Sequence, residues 1–408
     1  MDVRECYVVT SPGLEEVTAG ELSALGIFPE GREPGGVTFH ADFPGLWKAN
    51  LHMRTASRVV MRFGEFRATA FYELEKRAKK LPWATLVAPG TTVTFRVTSR
   101  KSKLYHGKAV AERLAESVTS AVTGVTVVKS SMVVEGGEVG EVGEVEGDAI
   151  LPPSRPPAFP PQLFLVRLFH DLCSISIDSS GELLHRRGYR QAVGRAPLRE
   201  TLAAAMLLSS RWDGRAPLLD PMCGSGTIPI EAALLARRIP PGWRRSFAFE
   251  QWPGFERERW REQRAEAEKA ILPRAPGPIL GSDRDAGAIV AAEANAVRAG
   301  VSGDVSFRRS ALSGVEPPAD VAGWIVTNPP YGVRVGERLQ LRNLYAQLGN
   351  VARRRCDGWR LALLSGDRSL EGQIGLPLSP VWATRNGGLP VRLVEGTVGL
   401  LAGERWGD

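Results

Sequence analysis

The chain has 408 residues, 43% hydrophobic and 24% charged, with 44 Gly and 29 Pro; that allows two to four domains of ~100–200 residues and excludes wholesale disorder. No apolar run reaches the ~20 residues a membrane-spanning helix needs, Met1-Asp2-Val3-Arg4-Glu5 lacks the basic-then-apolar layout expected of a signal peptide, and Cys6, Cys173, Cys223 and Cys356 form no CxxC pair, so neither a zinc site nor a disulfide framework is expected. A net charge of +7 points to an anionic partner, or to none, because it is mild for this length. These features lead us to expect a cytoplasmic protein with buried thiols, no metal and no membrane partner.

In chain order, Tyr7-Val8-Val9-Thr10 reads as a short strand. Ser11-Pro12-Gly13 opens a helix with Leu14, Val17, Leu22 and Leu25 on one side and Gly26 at its stop. Residues 91–99 alternate and are β-branched, which predicts a strand; 108–122 reads as a helix, 162–169 and 174–178 as strands, and 199–209 as a helix. From 217 onward strand, loop and helix repeat. Leu218-Leu219 leads to Asp220, 227–238 is a helix, and 278–282 is a strand ending at Asp283. Asp285 caps a helix running to Gly300. Strands follow at 305–307, 324–327 and 361–365, with a helix at 339–355. Strands separated by helices build a parallel, doubly wound sheet. Near the end, the apolar runs 391–394 and 397–401 flank Glu395-Gly396, a hairpin signal weaker than Asn-Gly.

Charge is unevenly placed. Eight of nine lysines precede residue 130, and Arg dominates later. One basic cluster spans 76–113 and includes Arg100, Lys101 and Lys103; a second runs through His185, Arg186, Arg187, Arg190, Arg195 and Arg199. Between them lie EGGEVGEVGEVEGD (135–148) and LPPSRPPAFPP (151–161). Acid with glycine, then proline, cannot bury a core, so 135–161 reads as a flexible insertion or linker, with an acidic lure as the alternative.

Three motifs sit where predicted strands end. Asp220-Pro221-Met222-Cys223-Gly224-Ser225-Gly226-Thr227 closes a strand with an acid, turns through glycines and opens a helix. Glycines let a ligand approach the backbone, and the helix start offers amide N–H groups. No Lys follows the glycines, so this is neither a Walker loop nor GxGxxG; it suits a nucleoside-type ligand, or it is only a tight turn. Gly281-Ser282-Asp283-Arg284-Asp285 places an acid where ribose hydroxyls can donate, or where it merely flanks a helix. Asn328-Pro329-Pro330-Tyr331 ends its strand abruptly. There the Asn oxygen and the Pro329 carbonyl can both accept from one planar NH2, with Tyr331 on the ring that carries it; a rigid capped turn is the alternative.

Taken together, DPMCGSGT, GSDRD and NPPYG resemble class I S-adenosylmethionine-dependent methyltransferases acting on amino nitrogens. SPGLEEVTAGELSALG (11–26), SRKSKLYHGKAVAERL (99–114) and SGELLHRRGYRQAVGRAPLRETLAAAML (180–207) are similar to the THUMP-domain RNA guanine-N2 methyltransferases, and RSFAFEQWP (245–253) to their bacterial 23S ribosomal RNA branch. The resemblance implies an α/β fold: a doubly wound Rossmann-like methyltransferase domain at 185–408, preceded by an α+β module. That module would comprise a ferredoxin-like part at 1–70 and a THUMP-like RNA-binding domain at 71–184 carrying the insertion. It further implies S-adenosylmethionine bound by Asp220, Met222, Cys223, Gly224, Ser225, Gly226, Asp283, Arg284 and the Ala311 backbone. Asn328, Pro329 and Tyr331 would hold the guanine, and Arg100, Lys101, Lys103, Arg187 and Arg190 the RNA. Where the family often has an acid near the adenine amine, this chain has Ser310-Ala311.

The cofactor would supply the electrophilic methyl and the protein its placement, with the base drawn out of its stack. A tRNA guanine is the nearest alternative substrate. A release-factor glutamine or a DNA adenine also presents a planar NH2, but neither explains the Lys-rich N-terminal half. A non-catalytic RNA-binding protein is the reading from another class. Because the chain ends at Asp408, soon after the predicted hairpin, no fused second activity is expected; no sequence feature calls for an obligate protein partner.

Overall fold

The computed structural model describes residues 3–128, 134–135, 160–190, 198–331 and 338–399. The chain divides into two compact units, one of Met1–Ser11, Thr18–Leu184 and Ser246–Ala265, the other of Pro12–Val17, His185–Arg245 and Glu266–Asp408. Most of the predicted insertion at 135–161 lies outside the described residues, as do Arg195 and Gly332.

The first unit is built on one sheet. Its elements are β1 (Arg4–Val9), α1 (Glu15–Ala24), β2 (Pro29–Glu33), β3 (Gly36–Ala41), α2 (Phe43–His52), β4 (Arg58–Arg67), α3 (Phe71–Ala78), β5 (Thr92–Arg100), α4 (Gly107–Ala121), β6 (Thr126–Val127), β7 (Val134–Glu135), β8 (Gln162–Phe169) and β9 (Leu172–Asp178). The strand order is β2-β3-β1-β4-β9-β8-β5-β6, with β7 also on β5. Period-two alternation decides the faces: Val93, Phe95 and Val97 of β5 and Phe164, Val166 and Leu168 of β8 are buried. Trp83 packs on Phe63 and Phe164, with ring centroids 4.8 and 5.2 Å apart, and its indole N–H donates to the Ala78 carbonyl (2.9 Å). Val110, Leu114 and Val118 recur every four residues on α4 and form its buried stripe.

The late segment Ser246–Ala265 belongs to this same unit. Trp47 of α2 lies 5.8 Å from Phe249 and 6.1 Å from Trp260. The aromatic residues between the second unit's strands therefore serve the core of the first.

The second unit carries α5 (Glu200–Ser209), β10 (Leu218–Asp220), α6 (Thr227–Ala236), α7 (Arg257–Lys269, shared with the first unit), β11 (Ile279–Asp283), α8 (Ala286–Ala299), β12 (Val305–Arg309), β13 (Trp324–Thr327), α9 (Arg338–Arg355), β14 (Arg360–Ser365), α10 (Arg368–Ile374), β15 (Ser379–Asn386) and β16 (Leu389–Thr397). The sheet order is β12-β11-β10-β13-β14-β16-β15. The first five strands are parallel, and β16 runs antiparallel between β14 and β15. The doubly wound sheet and the N-terminal α+β unit are those expected. Asp285 caps α8 by accepting from Gly287 and Ala288 N–H, and Gly300 ends it in the left-handed region.

The terminal hairpin departs from the sequence reading. Glu395 and Gly396 do not turn the chain; they lie inside β16, paired with Ala362 and Leu361 of β14. The turn is Gly387-Gly388 after Asn386, with φ of 55° and 81°. Two consecutive left-handed positions suit glycine, and the strands' twist calls for such a turn. The hairpin consequently turns eight residues earlier than the apolar runs suggested.

Candidate active site

In an open parallel sheet the crevice lies beyond the strand C-termini, where the strand order reverses. Here that reversal is at β10, flanked by β11 and β13. Asp220 ends β10, Asp283 ends β11, and Asn328 follows β13, so the three motifs meet at one sheet edge.

Asp220 is a buried tie. Its Oδ1 accepts from the Thr327 hydroxyl (2.7 Å) and from the Met222 N–H (3.1 Å), joining β13 to the glycine loop. Burial pushes its carboxyl up to about 7, opposed by those two hydrogen bonds and aided by the charge of Asp283. The half-buried Asp283 holds the loop from the other side. One oxygen accepts from Gly224 N–H and the other from Asp285 N–H, both at 3.0 Å. Each oxygen keeps acceptor capacity for a ligand hydroxyl. Cys223 is buried, its N–H donating to the Ser282 carbonyl (2.9 Å) and its thiol pushed up by burial.

Gly226 precedes α6 with φ of 84°, and a Cβ there would come 2.9 Å from Ala292 and 3.0 Å from Phe307. Only glycine fits that corner. A Cβ on Gly224 would meet nothing within 4 Å, so the loop crest faces open space. The first intrahelical bond of α6 is Ile230 N–H to Gly226 carbonyl, and helix starts leave earlier amides for a ligand. Met222 and Ser225 are half-buried beside this loop, while Arg284 and Ala311 are exposed at the ends of β11 and β12.

Beyond β13, Asn328 is half-buried, and its Oδ1 is a buried acceptor with no hydrogen-bond partner among the described residues. Such an atom is costly unless something donates to it. Pro329 is buried and Tyr331 half-buried. The Tyr331 ring crowds Gly366, where a Cβ would lie 2.8 Å from Cδ2. Its hydroxyl oxygen accepts from Asn386 Nδ2 at 2.7 Å.

Two of the five predicted RNA contacts differ in character from the other three. Arg100, Lys101 and Lys103, in the first unit, are exposed. Arg187 and Arg190, in the second, point inward. Arg187 is buried 3.6 Å from the fully buried Glu231. Arg190 lies 3.4 Å from Glu200 and donates to the Thr227 hydroxyl (3.0 Å) and the Leu198 carbonyl (2.5 Å). Tyr189 donates to Glu231 at 3.1 Å. Both guanidiniums thus brace the start of α6, and neither is presented to a phosphate.

The sequence reading missed this brace and missed Asn386. The Asn-Gly-Gly run at 386–388 was the available signal for the latter, since it marks the hairpin that carries the tether.

Comparison with known proteins agrees with this architecture. The RMKL-like methyltransferase domain matches residues 187–392, and the RlmL ferredoxin-like domain matches 5–60. The protein slr0064 of Synechocystis is 32% identical over 393 residues, 96% of each chain. The ribosomal RNA large subunit methyltransferase K/L of Marinobacter nauticus is 35% identical over 96% of this chain but 52% of its own length; this chain spans about half of such relatives. Among solved structures, the methyltransferase SMU.472 complexed with SAH superposes with a TM-score of 0.83 at 27% identity, covering 98% of this chain and 100% of its own. A predicted N6-adenine-specific DNA methylase from Listeria monocytogenes reaches 0.80 at 31% identity over 96% of both. With its matched domain lying over the three converging strand-end motifs, the chain belongs to the RMKL-like methyltransferase family.

Proposed function

We propose that this chain transfers a methyl group from S-adenosylmethionine to the exocyclic N2 amine of a guanine in RNA, with 23S ribosomal RNA as the first substrate to test. The observation that carries the reading is the orphaned Asn328 Oδ1 at the sheet edge, an acceptor waiting for an N–H. The K/L relatives act on large-subunit ribosomal RNA, slr0064 is provisionally named an RNA methyltransferase, and SMU.472 holds SAH, the product that S-adenosylmethionine leaves behind.

The residues present fit that cofactor. The space open above Gly224 and the amide-bearing start of α6 receive its methionine end, Asp283 accepts from its ribose hydroxyls, and the exposed Ala311 backbone lies at the next strand end for the adenine. Asp220 positions the loop, its carboxylate joining the Met222 N–H to the Thr327 hydroxyl of β13. Bound there, the cofactor supplies an electrophilic methyl on a sulfonium.

The chain's own residues supply orientation. Asn328 Oδ1 and the Pro329 carbonyl accept from the guanine N2 hydrogens, which holds the amine in line with the methyl. Those bonds strengthen as the nitrogen gains positive character, so they favour the transition state over the bound substrate. Tyr331, clamped by Gly366 and Asn386, lies against the base. No strong base is needed before attack, because the N2 proton becomes acidic only as the C–N bond forms. Arg100, Lys101 and Lys103 meet RNA phosphates, in the part we assign to a THUMP-like module.

The test is nucleoside mass mapping of 23S ribosomal and transfer RNA from cells with and without the gene, paired with methyl transfer by purified protein. N2-methylguanosine that disappears from 23S RNA and is restored in vitro is the expected result. Loss from transfer RNA alone moves the substrate, and a methyladenine or methylglutamine product refutes the guanine assignment.

A further inference from the structure

The predicted phosphate contacts stand on an unusually fastened piece of surface. At the end of β5 the chain turns through Lys101, whose φ is 50°; the adjoining β8–β9 turn holds His170 and Asp171 at 49° and 63°. Non-glycine residues rarely take that conformation, and they keep it where surrounding bonds hold them. Here the bonds run between the two turns. Asp171 Oδ1 accepts from Lys103 N–H (2.7 Å), and Asp171 N–H donates to the Ser102 hydroxyl oxygen (3.0 Å). Ser99 Oγ donates to the Leu104 carbonyl (2.8 Å), and Leu104 itself is buried.

This rigid base displays rings among its cations. Tyr105 is 61% exposed and Phe169 40%. Arg100 and Phe169 are register partners across the parallel β5–β8 pair. The rings of Tyr105 and His106 have centroids 4.1 Å apart, and those of Phe169 and His170 are 4.4 Å apart. The Arg167 guanidinium lies 5.5 Å from the Phe169 centroid while also reaching Glu33 at 3.7 Å. The acid within the two turns, Asp171, is occupied with backbone and hydroxyl groups.

Cations alone would grip a duplex or a single strand. Exposed rings bias the choice, because base faces are buried in a duplex and its deep A-form groove admits no side chain, whereas unpaired bases stack on aromatics. Resting on the proposal that RNA is the substrate, we infer that residues 100–106 with the β8–β9 turn form a platform for single-stranded RNA: Tyr105 and Phe169 stack on unpaired bases while Arg100, Lys101 and Lys103 meet phosphates.

The two contributions separate by salt. Stacking releases no phosphate counterions, so Tyr105→Ala and Phe169→Ala should each weaken binding of a labelled, unstructured oligoribonucleotide about tenfold, leaving the slope of log affinity against log salt unchanged. Lys101→Gln with Lys103→Gln should flatten that slope, by up to ~0.7 per lost phosphate contact. Tyr105→Trp should restore binding, and a blunt RNA duplex should feel the aromatic changes little. All variants are read at the parent's unfolding temperature profile. If the parent binds the single strand and both alanine variants bind it equally well, or if duplex binding falls as much, the platform is wrong while the RNA reading stands. If the parent binds neither RNA, the RNA reading fails and the platform with it.

Discussion

Two arginine-bearing clusters that look alike in the sequence end in opposite environments. Arg100, with Lys101 and Lys103, stands in water on a fastened loop. Arg187 and Arg190 lie inside the second unit, facing Glu231 and Glu200 beneath the helix that follows the glycine loop. A cation in solvent is available to any phosphate. One in the interior must keep its carboxylate, because an unpaired buried charge is expensive. Charge density along the chain reports neither case; the neighbouring carboxylates, 44 residues away for Arg187 and 10 for Arg190, decide.

The sharpest way to break this contrast is by stability. Arg187→Ala leaves Glu231 buried without its cation and should cost ~3–5 kcal/mol, whereas Arg100→Ala should stay within ~0.5 kcal/mol. Chemical unfolding of the two variants checks both; equal, small effects would mean that Arg187 is not braced as described. Binding gives the converse. Changing Arg100, Lys101 and Lys103 together to Ala should weaken RNA binding and flatten its salt dependence without touching cofactor affinity, as calorimetry with S-adenosylmethionine would show.

A smaller effect concerns the Asn386–Tyr331 tether. Asn386→Ala and Tyr331→Phe should each slow methyl transfer roughly five- to tenfold, as for one lost neutral hydrogen bond of ~1 kcal/mol. The double variant should be no slower than either alone if Asn386 acts through that hydroxyl. Additive losses would detach Asn386 from the site.

A separate effect is a pH dependence of stability. Burial raises the Asp220 carboxyl to about 7, so the folded chain keeps this proton to higher pH than the unfolded one. The stability it contributes is whole below about 4 and is lost as pH rises through about 7. Asp220→Asn has no proton to lose, so parent stability minus variant stability should fall between pH 5 and 8. A constant difference would contradict the buried, protonating carboxyl.

The contrast between the arginine clusters also marks what was legible in the sequence. Asp220, Asp283 and Asn328 could be read because each motif is local: a strand end, a turn and a helix start within a dozen residues. The parallel order and the Asp285 and Gly300 caps follow from the same short-range signals. What escaped depends on distant partners. The aromatic residues of 246–260 pack on Trp47, about two hundred positions earlier, and no local pattern announces it. Reading only the apolar runs on either side of Glu395-Gly396 as a hairpin passes over the stronger Asn386-Gly387-Gly388 turn, and with it the tether to Tyr331.

The central claim, that Asn328 holds the amine being methylated, is tested most directly by single-turnover methylation of a guanine-containing RNA with Asn328→Ala, reading the mass of the nucleoside product. The account predicts a rate ~10²–10³-fold below the parent, with RNA and cofactor affinities unchanged and N2-methylguanosine as the parent's product. Transfer at the parent rate, or a methylated base other than guanine, would contradict it.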